Sequence, residues 1–204
     1  MLVIGLTGGI ASGKTTAADF LEAAGAPVVR ADRLARAVVA PGTPGLAEIA
    51  RTWPAVVAAD GHLDRQALAH VIFRDADARR QLEAITHPRI HRRMLGWLEA
   101  RRREGAAAAL CDIPLLFEAG YDREAGFLDR IWVVAVDPAT QLRRLIERDG
   151  LDREEAELRL AAQWPLARKL ERADVVLDNR GAPADLRAAA LAAWRALVGG
   201  SPPP

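Results

Sequence analysis

A doubly wound α/β fold, with a parallel sheet covered by helices on both faces, is the class this sequence predicts. Three observations carry that expectation. Five apolar, β-type runs recur along the chain: LVIGLT (2–7), APVV (26–29), AAALCDI (107–113), RIWVVAV (130–136) and DVVLD (174–178). Helical patterns separate them, long enough to serve as the crossovers that parallel strands need. The first run breaks into a glycine-rich loop, GGIASGKTT (8–16), that opens a helix.

The first strand, the loop and the helix form one chemical unit. Gly8, Gly13, Lys14 and Thr15 meet the spacing G-x-x-x-x-G-K-[ST]. In such a loop the glycines let backbone N–H groups close on phosphate, the lysine reaches the β/γ oxygens and the hydroxyl serves Mg2+. The helix carries Ala17, Ala18, Phe20, Leu21 and Ala24 on apolar positions and stops at Gly25. Its positive end turns to the same place. Gly8, Gly9, Ile10, Ala11, Ser12, Gly13, Lys14, Thr15 and Thr16 are the expected nucleotide-phosphate contacts. A plain glycine-rich turn is the bland alternative.

The second strand runs into RAD (30–32). Asp32 stands at the sheet edge where ligands of such folds collect. A carboxylate there can take a proton from a hydroxyl attacking a γ-phosphate, or it can cap the helix RLARAVV; both readings stand. Residues 33–105 read as several helices, one starting at Asp64–Arg65 and another in DADARRQLEAI (75–85). Pro88 in HPRI is expected to bend or restart that second helix. His87 and His91 have a zinc-compatible spacing but no third ligand, so zinc is not expected. Arg101, Arg102 and Arg103 suit the charged end of a helix.

The third strand ends at Asp112, a carboxylate that can hold Mg2+ or its water, or can serve as a turn or cap residue. The fourth strand leads into residues 139–173, rich in Arg and Glu with few large apolar residues. A charged helical hairpin with little core suits a mobile lid. Arg143, Arg144, Arg148 and Arg153 lie on it. Arginine is suited to a γ-phosphoryl group, although a solvated face paired with Glu147, Glu154, Glu155 and Glu157 explains any single one of them. The fifth strand passes into DNRG (178–181) and a last alanine-rich helix.

Composition narrows the classes. A formal net charge of +1 on 204 residues gives no bulk drive toward nucleic acid or membrane. The single Cys111 excludes an internal disulfide and reads as a packed core residue. No run approaches the ~18 apolar residues of a membrane span, and the N-terminus has no positive region of a signal peptide. A cytoplasmic protein is expected. The chain reads as one domain over 1–199: a core of about 1–32, 106–138 and 174–199, a helical region of about 33–105 and the lid of about 139–173, with 200–204 as a disordered tail.

GGIASGKTT, RAD, DGHLDR (60–65), ITHPRI (85–90), DIPLLFE (112–118) and DNRG, in this order and spacing, resemble the dephospho-coenzyme A kinases. Arg36, Pro41–Gly42, Phe73, Gln163 and Ala173–Asp174 add to the resemblance, which runs from about residue 3 to about 197. It implies a P-loop kinase with a nucleotide core, a helical substrate region and a lid. The implied reaction moves the ATP γ-phosphate to the ribose 3′-hydroxyl of dephospho-coenzyme A, with Mg2+, as the last step of coenzyme A synthesis. The resemblance also implies residue roles. Asp32 is the base, Lys14 and Thr15 serve phosphate and Mg2+, and Arg144 and Arg148 close over phosphate. Asn179 and Gly181 touch adenine, while Arg36, His87, Pro88, Leu115, Leu116, Phe117 and Glu118 shape the acceptor cleft. A monomer or small homo-oligomer is expected.

Three positions depart from the family pattern. Arg30 stands where Asp is frequent; it cannot ligate Mg2+, and its charge favours the ionised form of Asp32. Thr52-Trp53-Pro54 replaces a Phe-Gly-like turn. Trp164–Pro165 replaces small polar residues, and Pro165 is expected to break the lid helix. The nearest rivals are P-loop kinases for other small molecules, then a nucleotide switch, for which the guanine motif N-K-x-D is missing.

Overall fold

The computed structural model describes residues 1–121 and 126–199. The expected 200–204 tail lies outside them. In chain order the elements begin with β1 (Leu2–Gly8), α1 (Lys14–Ala23), β2 (Val28–Arg30), α2 (Ala31–Ala37) and α3 (Pro44–Thr52). A 3-10 turn (Pro54–Val56), α4 (Arg65–Arg74) and α5 (Ala76–Arg103) follow. The chain then forms β3 (Ala108–Asp112), β4 (Arg130–Ala135), α6 (Pro138–Asp149), α7 (Arg153–Ala161), α8 (Leu166–Leu170), β5 (Val175–Asp178) and α9 (Pro183–Gly199).

The strands form one sheet in the order β2-β3-β1-β4-β5, every pair parallel. The doubly wound class is therefore what the chain adopts. From β1 the winding runs out to β2 and returns through β3; it then crosses β1 to reach β4. This reversal puts the switch point, where such sheets bind ligands, at the end of β1. The register aligns Leu6 and Arg30 with Asp112, Gly8 with Val134 and Ala135 with Asp178. The candidate residues thus leave the sheet from one edge.

Alternation along each strand sends side chains to two faces. On one face Ile4, Leu6, Leu110, Trp132, Val134 and Leu177 pack with Ala17, Ala18 and Leu21 of α1 and with Leu186, Ala190 and Trp194 of α9. On the other, Gly5 has no side chain because Leu116 and Leu128 occupy the space: a Cβ there would sit 2.7 Å from Leu116 Cδ1. Cys111 is buried within β3, and burial pushes its thiol up to about 12. It is a core residue, as read from the sequence.

The chain divides into two compact units, Ala31–Glu99 and the remainder. The Ala31–Glu99 unit holds α2, α3, the 3-10 turn, α4 and most of α5. Thr43 caps α3 by accepting from Leu46 N–H, and Asp64 caps α4 by accepting from Gln66 and Ala67 N–H. Trp53 ends α3 and starts the 3-10 turn at Pro54. Arg89 Nη2 donates to Glu48 Oε2 at 2.6 Å, tying α5 to α3.

Of the bend or restart expected at Pro88, the restart does not occur; α5 runs through it for 28 residues. Proline removes one backbone donor. Nearby carbonyls take side-chain donors: Thr86 Oγ1 donates to Leu82 O at 2.8 Å and Arg89 Nη1 to Ile85 O at 2.5 Å. Buried Ile85, Ile90 and Met94 hold the helix on both sides of the proline. A second sequence alternative also falls. Asp32 is not the N-cap of α2, because the helix begins at Ala31 and Asp32 lies inside its first turn.

Candidate active site

The loop after β1 is shaped for an anion. Gly13 precedes α1 with φ 89 and ψ 16, and no side chain caps the first N–H groups of α1. Ala11 has φ 58, the one non-glycine residue with positive φ among those described. Such a residue costs roughly 1–2 kcal/mol. Ser12 N–H closes the loop on Gly9 O at 3.1 Å. Ser12 Oγ is buried and has no hydrogen-bond partner.

Side chains from three elements grip the loop from behind. Gln141 in the first turn of α6 donates from Nε2 to Ile10 O at 2.7 Å. Gln163, after α7, accepts at Oε1 from Ile10 N–H at 2.8 Å. Asn179, after β5, donates from Nδ2 to Ser12 O at 2.7 Å. The close approach explains two glycines. A Cβ on Gly9 would lie 2.1 Å from Gln141 Nε2, and one on Gly13 would lie 2.1 Å from Asn179 Nδ2.

Charge converges in front of the loop. Lys14 Nζ is ion-paired with Asp112 Oδ1, and Asp112 Oδ2 lies 3.8 Å from Arg30 Nε. Arg30 also pairs with Asp19 at 2.5 Å and Glu22 at 2.8 Å, both on α1. Arg30 thus faces three carboxylates, Asp112, Asp19 and Glu22. Thr15 and Thr16 are exposed at the start of α1.

The arginines of α6 and α7 separate into two behaviours. Arg144 Nη2 donates to Asn179 O at 3.1 Å, beside the loop. Arg148 is exposed and bonds Asp149 through two nitrogens at 2.6 and 2.9 Å. That bond holds the Asp149 carboxyl below the usual range and raises Arg148. Arg153 pairs with Glu157 four residues on. The loop, Lys14, Asp112, Arg144 and Asn179 are therefore brought together, and Arg148 is not among them. Gly181 sits against Asp185, whose Oδ2 would be 2.6 Å from a Cβ there.

DIPLLFE serves packing as well as edge chemistry. Leu116 and Phe117 are buried, Leu115 is exposed, and Thr7 Oγ1 donates to Pro114 O at 3.1 Å. Any contribution of Leu116 and Phe117 to a cleft therefore runs through shape. Glu118 Oε1 accepts from Trp164 N–H at 2.8 Å and lies 2.8 Å from Nζ of Lys169, a fully buried lysine. Trp164 stacks on Phe117 with centroids 5.5 Å apart, and the Arg168 guanidinium covers its ring at 3.4 Å. This explains the Trp164–Pro165 departure. The helix ends at Ala161, Trp164 docks, and α8 starts after Pro165.

Asp32, Arg36, His87 and Pro88 belong to the Ala31–Glu99 unit. Asp32 and Arg36 are exposed at opposite ends of α2, and His87 and Pro88 lie together in α5. Sequence reasoning passed over Gln141 and Lys169. A signal existed for Gln141: it precedes the buried Leu145 by four residues, so it lies on the inward face of an otherwise charged helix.

A family model described as dephospho-CoA kinase matches residues 2–185. The chain belongs to the dephospho-CoA kinase family. It is 49% identical over 201 residues to the dephospho-CoA kinase of Symbiobacterium thermophilum, covering 98% of this chain and 83% of that one. It is 48% identical over 203 residues to that of Geobacter metallireducens, covering 99% and 100%. Among solved structures, TT1252 from Thermus thermophilus superposes with TM-score 0.83 at 37% identity, covering 98% of each chain. The dephospho-CoA kinase from Campylobacter jejuni shares the fold at TM-score 0.68 and 24% identity, covering 97% and 98%. No helix among the described residues is long and apolar enough to cross a membrane.

Proposed function

We propose that the chain transfers the γ-phosphate of ATP to the ribose 3′-hydroxyl of dephospho-coenzyme A, giving coenzyme A and ADP. The observation that carries this reading is the loop of residues 8–16. It leads, with no side-chain cap, into the N-terminus of α1, where Lys14 stands at the switch point of the sheet. Family membership then names the acceptor.

Phosphoryl transfer proceeds through a loose transition state, so positioning and charge stabilisation dominate catalysis. Lys14 leaves Asp112 for the β/γ oxygens as nucleotide arrives. The N–H groups of α1 and the loop hold the remaining phosphate oxygens. Arg144, already beside Asn179, turns its guanidinium onto the transferring group. Asp32 orients the 3′-hydroxyl and takes its proton. The 139–173 segment closes over the phosphates and excludes water that would otherwise accept the phosphoryl group. Arg148 joins in the closed state by exchanging Asp149 for phosphate.

Thr15 and Asp112 fit a hard divalent cation, since both present oxygen donors, and the Thr15 hydroxyl is exposed where the loop opens. Mg2+, when bound with ATP, supplies neutralisation of charge on the β and γ oxygens. With Lys14 turned to phosphate, Asp112 would be available to hold it, and Arg30 Nε lies 3.8 Å from Asp112 Oδ2.

The deciding experiment mixes the protein with Mg-ATP and dephospho-coenzyme A and follows ADP and coenzyme A by chromatography, beside adenosine, AMP and no acceptor. Coenzyme A forming far faster than any other product is the expected result. Equal ADP in every tube would mean an ATPase and would overturn the reading.

A further inference from the structure

Both ends of one helical hairpin are tied to a single residue of the phosphate loop. Gln141 lies in the first turn of α6 and Gln163 lies two residues past the end of α7. The first gives a hydrogen bond to the carbonyl of Ile10, and the second receives one from its N–H. Between them the chain runs out along α6, turns at Gly150 with φ 65, and returns along α7. Ile10 therefore closes the base of the hairpin like a pin.

The pin is itself held firmly. Gln141 is buried, and N-cap Asp137 fixes its turn by accepting from Thr140 N–H at 2.9 Å. Gln163 precedes Trp164, whose ring is stacked on Phe117 and whose N–H is bound by Glu118. Next to the pin stands Ala11, in the left-handed region that alanine avoids. A strained residue persists where its surroundings over-determine it, and here the two amides fix the peptide groups just before it.

We propose that Gln141 and Gln163 are positioning residues that couple nucleotide binding to the conformation of the 142–162 hairpin through Ile10. The proposal rests on the reading that ATP occupies this loop. Nucleotide that draws the loop into its bound shape moves or stiffens Ile10, and the hairpin must follow at both ends. By reciprocity, a hairpin held closed raises nucleotide affinity by the same factor.

The test measures two quantities on the full chain with the β,γ-imido analogue of ATP and Mg2+. Calorimetry gives affinity, and hydrogen-exchange mass spectrometry follows residues 142–162 with and without saturating analogue. The wild type should bind and show exchange slowed several-fold. Gln141→Met and Gln163→Met keep volume but lose the bond. Each should weaken affinity by roughly 2- to 10-fold, the range one hydrogen bond supports, and abolish the slowing even at saturation. The double variant should be no worse than the worse single one, because both act through one residue.

A second pair guards against misfolded variants. Glutamate at 163 keeps an acceptor for Ile10 N–H, whereas glutamate at 141 loses the donor and faces a carbonyl with an anion. Gln163→Glu should retain the slowing at saturation and Gln141→Glu should lose it, although both add the same charge. Slowing that survives in both methionine variants, or an identical response of the two glutamate variants, would overturn the coupling. A wild type that fails to bind the analogue would instead overturn the ATP reading.

Discussion

The edge of the sheet and the α6–α7 hairpin are built from the same charged residue types under opposite conditions. At the edge, Lys14, Arg30 and Asp112 have side chains 11%, 9% and 5% exposed, and each is paired. On the hairpin, Arg153 is 76% and Glu157 53% exposed, and they too are paired. Exposed pairs contribute about 0–1 kcal/mol because water and salt screen them. Buried pairs gain little over an apolar replacement, yet losing one partner strands an unscreened charge. In the first region, removing any one partner therefore leaves a poorly screened charge behind. The second is screened by solvent; its inward side chains, Gln141 at the start of α6 and Gln163 after α7, bond Ile10 of the loop instead.

The comparison is broken most sharply by Asp32, exposed like the hairpin charges yet assigned to the chemistry. Asp32→Asn should lower turnover by about 10²–10⁴-fold, with ATP affinity and melting temperature nearly unchanged. Steady-state rates beside calorimetry decide it, and wild-type turnover would remove Asp32 from the mechanism. Lys14→Ala should cut turnover by about 10²–10³-fold and also weaken ATP binding. Unchanged affinity in calorimetry would contradict the phosphate-cradle assignment.

Asp112→Ala tests the buried region without substrate. Arg30 keeps Asp19 and Glu22 as partners, so the cost lies at the lower end for a broken buried pair, about 3 kcal/mol. In a chain of this size that lowers the melting temperature by roughly 6–12 °C. A melting curve identical to wild type would mean the pair is as dispensable as those on the hairpin. Arg153→Gln, its exposed counterpart, should shift melting by about 2 °C or less and leave turnover alone.

Cys111 extends the comparison to a neutral group. Burial holds its proton up to about pH 12, whereas the unfolded thiol releases it near 9.0. The folded value is raised, so the stability this thiol contributes is whole below pH 9.0 and is lost as pH rises toward 12. Between those limits wild type should lose stability more steeply than Cys111→Ala, by about one proton per molecule. Parallel curves in alkaline denaturation would refute it.

Much of this molecule was legible in order and type. The five strands stand within two residues of the apolar runs that announced them, because a sheet buried on both faces demands continuous apolar sequence. The loop was legible because Gly8, Gly13, Lys14 and Thr15 carry chemistry at fixed spacing along the chain. The restart expected at Pro88 did not follow, because the breaking tendency of proline is a local property and Ile85, Ile90 and Met94 are buried on both sides of it. Asp112 remained ambiguous between cation ligand and cap, since nothing local says that Lys14 and Arg30 will meet it.

By itself, then, the sequence determined the class of fold, the phosphate loop and the family, all of which rest on patterns between neighbours in the chain. Only tertiary structure decided who holds that loop. Gln141, Gln163 and Asn179 lie 131, 153 and 167 residues from the groups they bond. Arg30 reaches back to Asp19 and Glu22 and across to Asp112. Such partnerships follow from the strand order 2-3-1-4-5, which brings distant ends to one edge, and a side chain's chemistry alone does not name the partner it will meet there.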